Sequence, residues 1–263
     1  MQILKTQAIT LKNYDFLEQD KIVILYTLEY GMIRTVARGA RRIKSRFSVA
    51  CHFPCFQDVL IYSRGDFSRM GNLTDCRVRY LFPGIRKDIF KFAYACYIAE
   101  ILLFSIKEGE VNRQIFFLLL GTLSLIDREK RENLRGIVCL FKARLLSLLG
   151  YALNLGRCVE CGREREKFEP VYFSPQKGGI ICPECGRKET GVVGVPREVV
   201  LVLDYLVGGK RNLSRGILQK TEKQINPLLD ACFFHHLGKS KSLSYQLIEN
   251  LEKGIISEGR KNA

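Results

Sequence analysis

The sequence predicts an α+β protein of several domains: an N-terminal β-barrel, an α-helical domain, and a four-cysteine ribbon inserted into that helical domain. Three observations predict it. Residues 1–80 hold short runs rich in β-branched and aromatic side chains, the apolar spacing turns helical from Gly84, and Cys-x-x-Cys-Gly pairs begin at Cys158 and Cys182. At 263 residues, 47% of them hydrophobic, the chain is long enough for two or three cores and excludes general disorder.

Five strands are expected at 3–11, 21–29, 32–39, 57–62 and 73–80, separated by glycine and acidic breaks. Five strands of this size suit a small closed barrel of the OB-fold type, with an SH3-like barrel also compatible. Helices are expected from Gly84 to about Ile106, at 114–126, at 132–149, from Pro196 to Leu206, at 227–237 and at 245–251, followed by a frayed polar end. The expected division is residues 1–80 for the barrel, 81–157 and 191–250 for the helical domain, 158–190 for the cysteine module and 251–263 for a tail.

Cys158, Cys161, Cys182 and Cys185 have the spacing of a closed four-thiolate zinc site, which builds structure and leaves no open position for a substrate. A glycine after each pair can take positive φ and turn N–H groups toward the sulfurs. Between the pairs, 171–173 and 179–181 predict a hairpin, so the module reads as a zinc ribbon. Cys76, Cys96, Cys139 and Cys232 stand among apolar neighbours and are expected in the core, as are Cys51 and Cys55 beside Phe53, Pro54 and Phe56.

A net charge of +15 attracts polyanions and disfavours self-association. The excess lies outside the cysteine module, where residues 158–190 carry six basic and six acidic side chains. Arg34, Arg38, Arg41, Arg42, Lys44 and Arg46 put six cations in thirteen residues, with no acidic residue between Glu29 and Asp58. Arginine forks suit phosphate oxygens, and Tyr30 and Phe47 at the flanks offer faces for unpaired bases, so this run is the expected nucleic-acid surface. A solvated charge run is its bland counterpart.

Catalytic motifs are missing: there is no phosphate-binding Gly-x-x-x-x-Gly-Lys loop, Gly-x-Ser-x-Gly elbow or His-Glu-x-x-His pair, and no enzyme activity is expected. Asp15, Glu18 and Asp20 read as ordinary turn residues, with a metal-dependent nuclease as the enzymatic alternative. His235-His236 reads as a helix-end feature. No apolar run reaches membrane-spanning length, and the N-terminus lacks the order of a secretory signal, so a cytoplasmic protein is expected.

Val36-Ala37-Arg38-Gly39-Ala40-Arg41-Arg42-Ile43-Lys44-Ser45-Arg46-Phe47, the paired cysteines, and Phe234-His235-His236-Leu237-Gly238-Lys239-Ser240-Lys241-Ser242-Leu243 resemble the bacterial recombination-mediator family RecO. The resemblance, spread over nearly the whole chain, implies an OB-fold that binds single- and double-stranded DNA, a helical domain and a zinc module. It further implies strand annealing, contact with the acidic tail of single-strand-binding protein, and cooperation with RecR to load RecA. The basic surface of such a domain would fall on Arg38, Arg41, Arg42, Lys44 and Arg46. A zinc-dependent interaction scaffold and an RNA-binding ribbon protein are the competing readings.

Overall fold

The computed structural model describes residues 2–63, 70–208, 215–238 and 242–261, apart from the side chains of Arg215 and of 255–261. Five strands close into a barrel: β1 (Gln2–Phe16), β2 (Asp20–Thr27), β3 (Gly31–Ala37), β4 (Cys55–Ser63) and β5 (Gly71–Tyr80). Their order, β1-β2-β3-β5-β4, with β3 and β5 parallel and the other neighbours antiparallel, is that of an OB-fold. The first strand makes closure possible. Its residues 2–10 pair with β4 and its residues 8–16 with β2, with a register shift between Thr10 and Lys12. Leu4, Thr6 and Ala8 point inward at the two-residue period of a strand, and the stretch shared by both neighbours, Ala8 to Thr10, is buried throughout. Val23, Leu25, Ile33, Val59, Ile61 and Leu73 complete the barrel core.

The chain folds into two compact units, residues 1–128 with 242–263, and residues 129–241. In the first, the barrel is joined by α1 (Pro83–Lys87), α2 (Ile89–Ser105), α3 (Arg113–Arg128) and, after the second unit, α8 (Leu243–Lys261). Tyr26 stacks on Phe116 of α3 at 6.3 Å and donates its hydroxyl to Asn112 O at 3.2 Å, so the outer face of β2 is packed as well as the inner. The single helix expected from Gly84 is broken at Asp88, whose extended backbone ends α1 and whose carboxylate caps α2 by accepting from Phe90 N at 2.9 Å. α8 lies against α2. Glu100 accepts from the Ser242 hydroxyl and from Ser244 Oγ at 2.9 Å, Tyr94 donates to Glu252 at 2.9 Å, and Tyr97 meets Tyr245 at 5.3 Å. This helix runs well past the expected 245–251, because one glycine, Gly254, is too weak a break to stop it.

In the second unit, α4 (Leu134–Leu148) packs with α6 (Arg197–Gly208) and α7 (Arg215–Leu237). The sequence placed the start of α7 at Pro227, but Pro227 lies inside it. Ile225, Leu228, Leu229 and Cys232 are buried at helical spacing, and that burial outweighs the hydrogen bond a proline forgoes. Lys142 of α4 is fully buried and donates to Asn226 at 2.8 Å and to Asp230 at 2.5 Å. Burial pulls its pKa down while Asp230 pulls the other way. Asp230→Ala is expected to cost about 3 kcal/mol, because the lysine stays buried without its counter-charge, whereas Lys142→Met should cost far less. Thermal unfolding of the two variants checks this, and equal losses would contradict it.

Between α4 and α6 lies the cysteine module: β6 (Val171–Ser174), β7 (Gly179–Ile181), the short α5 (Pro183–Gly186) and β8 (Val193–Val195). The hairpin of β6 and β7 is as expected, and β8 adds a third strand on the free edge of β6. Among the described residues no helix is long and apolar enough to cross a membrane.

Candidate nucleic-acid interface and metal centre

Residues 38–54 link β3 to β4 as a long loop whose later half is anchored inside the barrel. Phe47, Ala50 and Cys51 are buried; Gln57 Nε2 donates to Thr10 Oγ1 at 2.9 Å and to Ala50 O at 3.0 Å, and Asn13 Nδ2 donates to Cys51 O at 3.0 Å. The earlier half is held to the β1–β2 turn. Arg41 N–H donates to Gln19 O at 3.0 Å, Arg41 Nη1 to Leu17 O at 3.3 Å, Arg42 Nε to Gln19 Oε1 at 2.5 Å, and Gly39 N–H to Asp20 Oδ1 at 2.8 Å. Between these two anchored stretches, residues 41–44 are exposed without a break.

Arg34, Arg38, Arg41, Arg42, Lys44 and Arg46 are all exposed, Arg34 on β3 and the other five on this loop. The mutual repulsion expected of six unscreened cations is relieved in part by acids distant in sequence. Arg34 pairs with Glu108, Arg41 lies 3.6 Å from Asp15, and Arg46 lies 3.9 Å from Asp75 while donating to Thr74 O at 2.6 Å. Exposed pairs of this kind contribute little, on the order of 0–1 kcal/mol, so these guanidinium groups exchange partners at small cost. Among the described residues, Arg38, Arg42 and Lys44 have no ion-pair partner.

The aromatic reading needs correction. Phe47 is only 5% exposed and belongs to the barrel core, with the Arg46 guanidinium 4.9 Å from its ring, and Tyr30 packs against the same core. Neither offers an open face to a base. Sequence reasoning also passed over Leu17 and Gln19, because their turn was read for its carboxylates alone. Asp15 is held below the usual carboxylate range by its hydrogen bond from Lys21, with Arg41 assisting, and Asp20 receives Gly39 N–H, so both brace the loop.

The four paired cysteines converge. Their sulfurs lie within 4.8 Å of one another, with Cys161 Sγ 3.7 Å from Cys182 Sγ, and among the described residues they are the group of three or more such side chains able to hold a metal ion. A tetrahedral zinc with Zn–S near 2.3 Å sets its sulfurs about 3.8 Å apart, so the donor set fits. Cys158 is buried, which opposes its ionisation, but N–H groups of Cys161, Cys182 and Glu160 together lower its thiol to about 7. Cys182 N–H points at Cys158 Sγ from 3.3 Å. Gly162 has the expected positive φ, +72°, but Gly186 does not: it ends α5, where a Cβ would lie 3.3 Å from the Tyr172 ring.

Gly179 lets the first knuckle lie across β7. Val159 N–H donates to Ile180 O at 2.9 Å and Ile180 N–H to Asn154 O at 3.0 Å, and a Cβ on Gly179 would stand 2.6 Å from Asn154 O. Gly179→Ala is expected to destabilise the module by about 1–3 kcal/mol and to speed metal loss to a chelator; unchanged loss kinetics would contradict that. The module's charges are largely satisfied within it. Arg163 forks onto Glu184 at 3.1 and 2.8 Å, and Lys177 pairs with Glu160 and with Glu189. Of the remaining cysteines, Cys51, Cys55, Cys139 and Cys232 are buried as expected, and Cys76 and Cys96 are half-buried. His236 stacks on Tyr151 at 4.4 Å.

These features define a class: an OB-barrel protein with a cationic, braced loop, an attached helical unit and a four-thiolate module. Residues 1–82 match the family description Recombination protein O N terminal, and residues 86–244 match Recombination protein O C terminal. The chain belongs to the RecO family of DNA repair proteins. The DNA repair protein RecO of Desulforamulus reducens is 35% identical over 262 residues, 98% of this chain and 99% of that one. Those of Thermoanaerobacter sp. and Acetivibrio thermocellus are each 30% identical, over 254 residues (96% and 99% of the two chains) and over 210 residues (80% and 81%).

Proposed function

We propose that this chain is a recombination mediator in DNA repair. It binds single- and double-stranded DNA through Arg34, Arg38, Arg41, Arg42, Lys44 and Arg46, anneals complementary strands, and with RecR assists RecA loading onto DNA coated by single-strand-binding protein, whose acidic tail it engages. It works in the cytoplasm at the nucleoid and performs no bond-breaking chemistry. The observation that carries the reading is the exposed cationic loop braced on an OB-barrel in a chain of this family. Neutralising phosphates on two strands reduces their repulsion, and base pairing then drives annealing without nucleotide hydrolysis.

The metal held by Cys158, Cys161, Cys182 and Cys185 is one zinc ion, and its role is structural: all four positions are filled by protein, so it closes the knuckles and activates no water. The test is annealing of complementary oligonucleotides coated with single-strand-binding protein. Faster annealing with this chain than without it is expected, suppressed by excess peptide of the acidic tail. No acceleration on coated or bare strands would overturn the reading.

A further inference from the structure

Ile43 is fully exposed, at 101%, in the middle of the densest cationic stretch of the chain. Single exposed apolar residues are ordinary, but three features set this one apart. Ser45 N–H donates to Arg42 O at 3.0 Å, so Ile43 and Lys44 are the central pair of a tight turn and project from it. The two arginines before that turn, Arg41 and Arg42, are tied to Leu17 and Gln19, which holds the projection in place. Leu17 is itself 72% exposed and has φ of +52°, a conformation where glycine or asparagine is the ordinary choice. Two bare aliphatic side chains thus stand on the two turns that carry or grip the cations.

We propose that Ile43, with Leu17 on the neighbouring turn, is a base wedge: its side chain enters between adjacent bases of a strand whose phosphates bind the flanking arginines. This rests on the DNA-binding reading above. An apolar protein surface could cover Ile43 only by also desolvating Arg38, Arg41, Arg42 and Lys44. The occupant must therefore offer anions and apolar faces within one residue's reach of each other, and a nucleic-acid strand does so at every nucleotide. Aliphatic side chains are known wedges between base steps, and with Phe47 turned into the core Ile43 is the large apolar group left at the loop tip. Unstacking one step leaves its pairing edges open, which favours an incoming complementary strand.

The full chain is mixed with a single-stranded oligonucleotide carrying 2-aminopurine, whose fluorescence rises on unstacking; affinity is read by anisotropy across a salt series. The wild type should raise the fluorescence. Ile43→Ala should lose most of that rise and about tenfold in affinity with the salt slope unchanged, and Ile43→Leu should retain both. Folding is not at risk, because Ile43 touches no core. If Ile43→Ala keeps the rise and the affinity while Arg41→Ala, Arg42→Ala, Lys44→Ala together flatten the slope, the wedge is overturned and the DNA reading stands. If neither variant changes binding, the loop is not the DNA surface and the wedge falls with it. If Ile43→Ala weakens binding to phosphatidylglycerol vesicles and leaves the oligonucleotide signals intact, the tip serves a membrane surface and the proposal is again overturned.

Discussion

Stripping the metal with a chelator, or replacing Cys158 and Cys161 together by alanine, is expected to unfold residues 153–195 while the barrel keeps its protection against amide hydrogen exchange. The sheet of this module consists of strands of four, three and three residues. Phe168, Val171, Phe173, Ile180 and Ile181 form too small a core to offset the conformational entropy of some forty residues. Structural zinc supplies about 10–16 kcal/mol in comparable peptides, far more than that core. Once the cation is gone, the four sulfurs within 4.8 Å of one another lose the charge that binds them and are left with sulfur hydrogen bonds, in which the thiol is a weak donor and a weak acceptor. Exchange mass spectrometry with metal analysis reads the outcome. Metal-free protein with full protection across the module would show that the ion is held without being needed for the fold.

The second large effect falls on DNA binding. Six phosphate contacts on a single strand give a log-affinity against log-salt slope of about −4, and replacing Arg41, Arg42 and Lys44 by alanine should reduce it to about −2, with about a 100-fold loss of affinity near 0.1 M salt. The three residues are exposed, and the variant loses the surface pair of Arg41 with Asp15 and the exposed side-chain bonds of Arg41 to Leu17 O and of Arg42 to Gln19 Oε1. It keeps the backbone bonds of Gly39 and Arg41 to the neighbouring turn, so its stability should stay within about 1 kcal/mol of the parent. That separation makes the test clean: weaker binding cannot be ascribed to unfolding. Unchanged affinity and slope would remove the loop from the DNA surface.

The barrel was legible because runs rich in β-branched and aromatic residues between glycine and acidic breaks mark strands whichever faces they bury. The cysteine pairs were legible because metal geometry imposes its own spacing. Relations between distant residues were not. Nothing local to Arg34 or Arg46 announces Glu108 or Asp75, and nothing local to Phe47 says that its loop dives back into the barrel. Val193-Gly194-Val195 is too short to read as a strand until β6 offers an edge, and Pro227 looks like a helix start until the buried row from Ile225 to Cys232 overrides it. In each case burial or pairing supplied by another part of the chain decides between local alternatives that the sequence leaves nearly equal.

The clasp of Glu100 on Ser242 and Ser244 has a consequence for biosynthesis. Residues 129–241 form an uninterrupted unit, whereas the unit containing the barrel needs residues that follow it. As the chain leaves the ribosome, the barrel strands emerge first, yet Tyr94, Tyr97 and Glu100 on α2 must wait for about 140 further residues before Ser242, Tyr245 and Glu252 arrive. At 5–20 residues per second that is roughly seven to thirty seconds with one face of α2 uncovered. All residues of the unit 129–241 are made within that interval, so the first unit to begin is the last to be completed.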